Sequence, residues 1–313
     1  MMTAPGFDML HILTIILPVF GLIGLGYAAR SAGYISDRAG EGLSEFVFTI
    51  AIPCLIFKTL TSAVLPETQP WGYWFSYFSG VAIIWMIAHL ITRRLFGRDR
   101  STAVVSGFTS AQSNTVLVGI PLILEAYGSE GAVPLFLLIA VHLPIMIGAA
   151  TLLIEGRSAH PGAVLWRVLN HPILIAILFS SAFRLSGFHV PAIASSIIEP
   201  LGATAVPCAL FAMGIALRRY GSREEIELVT VLCGLKLIVQ PALVFILAFY
   251  VFSVPPVWAD VAVLFASAPT GINAYLFAER YKTGMGIASS GIALSSAFSV
   301  ISTAFWLIIL GIH

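Results

Sequence analysis

The chain has 313 residues, of which 58% are hydrophobic and 10% are charged, and its formal net charge is +1. A soluble domain of this length needs far more charge to cover its surface, so the composition excludes a water-soluble globular protein and requires a lipid bilayer as the solvent. The three cysteines lie in apolar segments without the spacing of a zinc site or a CxxC pair, and we expect no metal, no cofactor and no nucleic-acid partner.

Ten apolar segments are long enough to cross a membrane, and we predict an all-α polytopic membrane protein with ten transmembrane helices. Because the first segment lacks a basic start and a cleavage site, it is interpreted as a span and not as a signal peptide. The connections are short, so no soluble domain is expected. In chain order the predicted helices lie near residues 8–29, 39–64, 71–93, 101–126, 132–154, 164–186, 191–217, 226–252, 257–280 and 284–312.

Basic residues are concentrated in alternate loops, and this asymmetry predicts the orientation. Thirteen of the sixteen lysines and arginines fall in loops on one side of the membrane, which should therefore be cytoplasmic, with both termini periplasmic in a bacterial inner membrane. They are Arg30, Arg38, Arg93, Arg94, Arg98, Arg100, Arg157, Arg167, Arg218, Arg219, Arg223, Arg280 and Lys282.

The two halves of the sequence resemble each other. A shift of 154 residues without a gap superimposes ARSAGY (29–34) on FRLSGF (183–188) and IAIPCLIF (50–57) on TAVPCALF (204–211). Matches at Arg and Pro-Cys are not what a merely apolar background supplies. Since each unit has an odd number of spans, we predict a 5+5 inverted repeat, with residues 1–156 and 157–313 as its halves, which is typical of secondary transporters.

The fourth and ninth segments are predicted to be broken crossover helices. They read SAQSNTVLVGIPLILEAYG and ASAPTGINAYLFAERY, and we place the breaks at Gly119 and Pro121 and at Pro269 and Gly271. Breaks free backbone groups at mid-membrane, and half-helix N-termini favour an anion. The substrate-binding candidates in these segments are Gln112, Ser113, Asn114, Thr115, Pro269, Thr270 and Asn273. The alternative is ordinary proline-kinked packing in which the amides join neighbouring helices.

Lys236 lies about ten residues inside the eighth segment, with Gln240 one turn later on the same face. A central lysine costs about 2.5–3.5 kcal/mol on insertion scales, so it should have a function or a full set of partners. We expect both side chains to bind an anionic substrate. The alternative is a lysine that is satisfied by carbonyls of the eighth and ninth helices, or an amine that burial keeps neutral.

At these residues the chain resembles the auxin efflux carrier family, in its bacterial branch of malate- or malonate-type permeases. The resemblance covers essentially the whole chain and is carried by the motifs LPVFGLIGLGYAARSAGYI (17–35), SNTVLVGIPL (113–122), GLKLIVQPAL (234–243) and APTGINAYLFAERY (268–281). It implies scaffold and transport subdomains, crossed fourth and ninth helices, elevator-type movement, and a site lined by Asn114 and Pro269.

The sequence thus predicts a permease for a small organic anion, a mono- or dicarboxylate, which works by alternating access in the lipid bilayer and can form a homodimer. A sodium-coupled organic-anion symporter of the bile-acid type is the alternative, since it shares inverted repeats and crossed helices. An enzyme is not expected, because HExxH and GxSxG are absent.

Overall fold

The described chain is built of helices. The computed structural model describes residues 9–62, 71–156, 172–221 and 225–311, together with the single positions 162, 166 and 170. Within these ranges the only β-type pairing is one isolated antiparallel bridge between Ser113 and Thr270.

The helices follow one another with short connections. They are α1 (Met9–Ser31), α2 (Asp37–Ser62), α3 (Trp71–Arg94), α4 (Arg100–Ala111), α5 (Thr115–Tyr127), α6 (Ala132–Glu155), α7 (Pro172–Leu185), α8 (Ala192–Leu217), α9 (Ile226–Val251), α10 (Pro256–Ser267), α11 (Asn273–Tyr281) and α12 (Met285–Leu310). Single π-helical turns interrupt α2 at Val47–Ala51 and α9 at Leu235–Val239, one ends α9 at Leu247–Val251, and one forms the start of α5.

Seven of the described helices have the length and hydropathy of a membrane span, namely α1, α2, α3, α6, α8, α9 and α12. Three shorter helices, α5, α7 and α10, are also apolar. The prediction of an all-helical polytopic membrane protein is therefore confirmed. The predicted sixth segment is described as a continuous helix only from Pro172 onward, and Arg157, Arg167 and Arg223 lie outside the described residues.

Helices α1 and α8 pack against each other at backbone distance. A β-carbon on Gly26 would lie 2.2 Å from the carbonyl oxygen of Phe211, and one on Gly214 would lie 2.0 Å from that of Ile23. No side chain fits at either position, because these separations are far below van der Waals contact. Two glycines on opposite helices thus let the first and second halves of the chain meet closely.

The helices fall into two packed groups. Helix α8 packs on α1 and α2, and α2 packs on α7. In the other group α3 packs on α4 and α9, while α12 contacts α4, α9, α10 and α11. The middle of the second group is aromatic: Tyr77 packs edge-on against Phe265 at 5.4 Å between ring centroids, and its hydroxyl lies 3.1 Å from Nδ1 of His142.

Candidate functional site

The predicted fourth span is interrupted at Gln112–Asn114, between α4 and α5. Gln112 leaves the helix in an extended conformation, and Asn114 then caps α5, because its Oδ1 accepts a hydrogen bond from the Leu117 amide at 3.2 Å. Gly119 and Pro121 lie beyond the break, inside α5, so the sequence placed this interruption one to two turns too late. Pro121 comes directly after the π-helical turn Thr115–Gly119, as the second residue of the α-helical part Ile120–Tyr127, where a missing N–H is tolerated.

The predicted ninth span is interrupted between α10 and α11, as its sequence suggested. Ala268 is extended, with a ψ of 146°, because the residue before a proline is disfavoured in the helical region. Pro269 then removes a backbone donor, and α11 begins only at Asn273. Pro269 and Gly271 both lie in this break, where the sequence placed them.

The two breaks are hydrogen-bonded to each other. The backbone N–H of Asn114 donates to the backbone carbonyl of Pro269 at 2.7 Å, and the backbone N–H of Gly271 donates to the backbone carbonyl of Gln112 at 3.2 Å. A β-carbon on Gly271 would lie 2.3 Å from Oε1 of Gln112, so any larger residue here would require the buried Gln112 side chain to move. Four half-helices therefore meet at one short antiparallel contact, which satisfies backbone groups that the breaks would otherwise leave free.

Lys236 holds this contact from the side of α9. Its fully buried ammonium group donates to Ser113 Oγ at 2.9 Å, to Gln240 Oε1 at 2.8 Å and to the Ala266 carbonyl at 2.6 Å. Gln240 in turn donates from Nε2 to the Ala111 carbonyl at 3.1 Å. All three donors of the lysine have protein acceptors in this conformation. One of these acceptors, the Ala266 carbonyl, is a backbone carbonyl of the predicted ninth helix, and the other two are side chains.

Thr270 joins the break to two further helices. Its hydroxyl donates to the Thr109 carbonyl of α4 at 2.9 Å, and its amide donates to Ser295 Oγ of α12 at 3.0 Å. Thr270 therefore helps to hold together the contact between the two breaks, which is called the crossover below.

Two amides at the crossover differ in how they are satisfied. Asn114 directs Nδ2 to the sulfur of Met213 on α8, at 3.2 Å, and so links the break before α5 to α8. Gln112 is completely buried, yet neither atom of its side-chain amide has a hydrogen-bond partner among the described residues. A buried amide without partners costs about 1–3 kcal/mol, which is unusual away from a functional site.

A cavity of about 470 Å³ opens beside the crossover. Of the predicted binding residues, Thr115 and Asn273 line it, at the starts of α5 and α11. Most of its wall is apolar and comes from α2, α6, α7 and α11, and includes Phe48, Ile139, Leu143, Ile173, Leu276 and Phe277.

Arg280 also lines the cavity, and the sequence did not single it out. The signal was present in the spacing: Asn273, Leu276, Phe277 and Arg280 recur at three- and four-residue intervals, so they lie on one face of α11. In the described residues no group of His, Cys, Asp and Glu is arranged to hold a metal ion.

Comparisons with known proteins agree with this architecture. The sequence profile of the family described as "Membrane transport protein" matches residues 11–163 and 158–307. A protein of Rhizobium meliloti named "Putative malonate transporter" is 28% identical over 306 residues, covering 93% of each chain. An "Uncharacterized transporter" of Methanothermobacter thermautotrophicus is also 28% identical, over 94% of this chain and 97% of its own.

A plant protein is similar over its whole length as well. "Auxin efflux carrier component 8" of Arabidopsis thaliana is 21% identical over 356 residues, covering 95% of this chain and 96% of its own. With a family profile that matches nearly the whole sequence and relatives of both bacterial and plant origin, the chain belongs to the membrane transport protein family that includes the auxin efflux carriers.

Proposed function

We propose that the protein is a secondary carrier that moves a small organic anion, a mono- or dicarboxylate, across a bacterial inner membrane by alternating access. The observation that carries the proposal is the hydrogen-bonded pair of interrupted helices beside a cavity. The starts of α5 and α11 reach that cavity through Thr115 and Asn273, and helix N-termini favour anions. The name of the Rhizobium meliloti relative supports an organic anion.

The proposed fold is a ten-span inverted repeat, in which α4 with α5 and α10 with α11 each count as one broken span. The starting positions of the helices support it. The spans that begin at Asp37, Trp71 and Ala132 correspond to those that begin at Ala192, Ile226 and Met285, and each pair is separated by nearly the shift that aligns the two halves of the sequence. The clustered arginines would face the cytoplasm and both ends of the chain the periplasm.

The proposed movement is of the elevator type. Helices α1, α2, α7 and α8 would form the scaffold, and the group that contains the crossover would slide along it. The cavity supports this division because its wall includes Phe48 of α2 and Ile173 of α7 as well as residues of the crossover group. The contact of Asn114 with Met213 would be broken and remade during each cycle.

Transport by purified protein in proteoliposomes tests the proposal, with uptake of labelled carboxylates, including malonate, as the measurement. Two variants at one position separate a role in binding from a role in folding. Asn114→Ser keeps a side chain that can cap α5 but removes the side-chain amide donor. Asn114→Ala removes the helix cap as well as the donor. We expect both variants to lose transport and only Asn114→Ala to lose thermal stability. Normal uptake by Asn114→Ser would remove Asn114 from the site.

The sodium-coupled alternative requires sodium for uptake. Uptake that stops when sodium is replaced by choline would support it. The position of Lys236 favours sodium-independent transport, because its ammonium already occupies the three crossover oxygens that a small cation could otherwise use.

A further inference from the structure

Among the described residues that line the cavity, the polar side chains are Thr115, Asn273 and Arg280. Asn273 lies at the start of this helix, where Thr115 of α5 also reaches the cavity, and Arg280 lies seven residues later on the same face. Seven residues correspond to a rise of about 10 Å. Leu276 and Phe277 fill the interval, so an apolar surface separates the two polar ends.

Arg280 retains donors for a ligand. Its nearest carboxylate is Glu155, at 3.8 Å, which is longer than a hydrogen-bonded ion pair. The same Glu155 oxygen also accepts a hydrogen bond from the Tyr281 hydroxyl. The arginine side chain is 43% exposed, and its guanidinium lies 5.3 Å from the centre of the Tyr281 ring, which limits its orientation.

The size and lining of the cavity indicate what fits beside this arginine. Its wall is formed largely by Phe48, Ile139, Leu143 and other apolar side chains. A compact dicarboxylate would place a second charge against that wall, where desolvation of an ion is costly. An anion with one carboxylate and an apolar body matches both the guanidinium and the wall.

We propose that Arg280 is the residue that receives the carboxylate at the mouth of this cavity, and that the carrier thereby selects monocarboxylates with an apolar body over compact dicarboxylates. The inference rests on the proposed function and names its substrate class. Arg280 binds the anion first, and the anion then moves along Leu276 and Phe277 toward Asn273 at the crossover.

Concentration-dependent uptake into proteoliposomes tests the role of Arg280, with hexanoate, benzoate and malonate as substrates. We expect wild-type protein to show a lower KM for hexanoate and benzoate than for malonate. Arg280→Gln should raise the KM for the monocarboxylates about tenfold, as expected for loss of one charge-assisted ion pair, with less than about a threefold change in maximal rate. Arg280→Lys keeps the positive charge but lacks the planar guanidinium, so its KM for the monocarboxylates should lie between those of wild-type protein and Arg280→Gln.

Two control variants separate binding from general effects of charge. Arg94→Gln removes an exposed arginine that does not line the cavity, and Glu155→Gln removes the charge of the carboxylate 3.8 Å from Arg280 while Arg280 stays in place. Neither should raise the KM. An unchanged KM in Arg280→Gln, or a preference for malonate in wild-type protein, would overturn the inference and leave the carrier function standing. Failure to transport any organic anion would instead refute the proposed function and this inference with it.

Discussion

At the scale of single residues, the crossover depends on a few side chains whose partners lie on other helices. Lys236 was expected to be deep in the membrane, and it is fully buried. Gln240, one turn later on α9, was named from the helical spacing, but Ser113 and the Ala266 carbonyl come from distant parts of the chain, so no pattern along one helix could predict those two acceptors. Arg280 was not predicted as a site residue, because its spacing places it on one face of α11 but does not show that this face lines a cavity formed by several helices.

Replacing Lys236 by methionine should lower the thermal stability of the protein. The substitution keeps the length of the side chain but leaves the Ala266 carbonyl and the Ser113 and Gln240 oxygens without their donor, at a cost of about 1–3 kcal/mol for each group left unpaired. Thermal unfolding in detergent measures the effect. Lys58→Met is the control, since Lys58 is half-exposed and only 4.0 Å from Glu199, and it should change stability by less than about 1 kcal/mol. Equal melting temperatures for the two variants would contradict this account.

Gly271→Ala should disturb the contact between the two breaks. The new β-carbon would lie 2.3 Å from Oε1 of the buried Gln112 side chain, and such overpacking costs about 1–3 kcal/mol. Gly234→Ala, where nothing lies within 4 Å, should be neutral or slightly stabilising in its helix.

A second substitution identifies the cause of the Gly271 effect. The double variant Gln112→Ala/Gly271→Ala removes the atoms that the β-carbon would meet and should regain stability relative to Gly271→Ala alone. If the double variant is no more stable than the single one, the clash with Gln112 is not the cause.

At the scale of helices, the sequence predicted most of the boundaries within a few residues, because apolar length and the charged ends of spans are local properties. The break before α11 was also placed correctly, since Pro269 restricts its neighbour and removes a donor in the chain itself. The break before α5 was placed too late. The residue that marks it is Asn114, which caps α5, whereas Pro121 lies further along α5, where the π-helical turn gives way to α-helix.

The start of α4 offers a prediction at this scale. Asp99 caps the helix by accepting hydrogen bonds from the amides of Ser101 and Thr102, at 2.9 and 3.0 Å. Asp99→Ala should destabilise the protein by about 1 kcal/mol, whereas Asp99→Asn, which can still cap, should cost less. The Thr102 hydroxyl and these amides hold the pKa of Asp99 below its ordinary value, so the stabilisation by its charge is present near neutral pH and is lost as the pH falls through the lowered pKa. Thermal unfolding at pH 7 and at acidic pH checks both statements, and equal stability of the alanine and asparagine variants would contradict the capping role.

At the scale of the whole molecule, the close packing of α1 on α8 joins the two halves of the chain. Gly26→Ala should prevent proper folding, because the β-carbon would lie 2.2 Å from a backbone carbonyl that cannot move without shifting α8. Gly21→Ala in the same helix meets nothing within 4 Å and serves as the control. The yield of monodisperse protein on size-exclusion chromatography measures the difference. Normal yield of Gly26→Ala would show that the helices can separate without penalty.

The same packing bears on how such a protein could be assembled from two gene products. Helix α1 lies on α8, α2 on α7, α3 on α9 and α4 on α12, so each half covers apolar surface of the other. We therefore expect that residues 1–156 and 157–313 each need the other half to fold stably. Produced alone, each should be degraded, whereas co-production of the two fragments should restore the complete carrier by complementation.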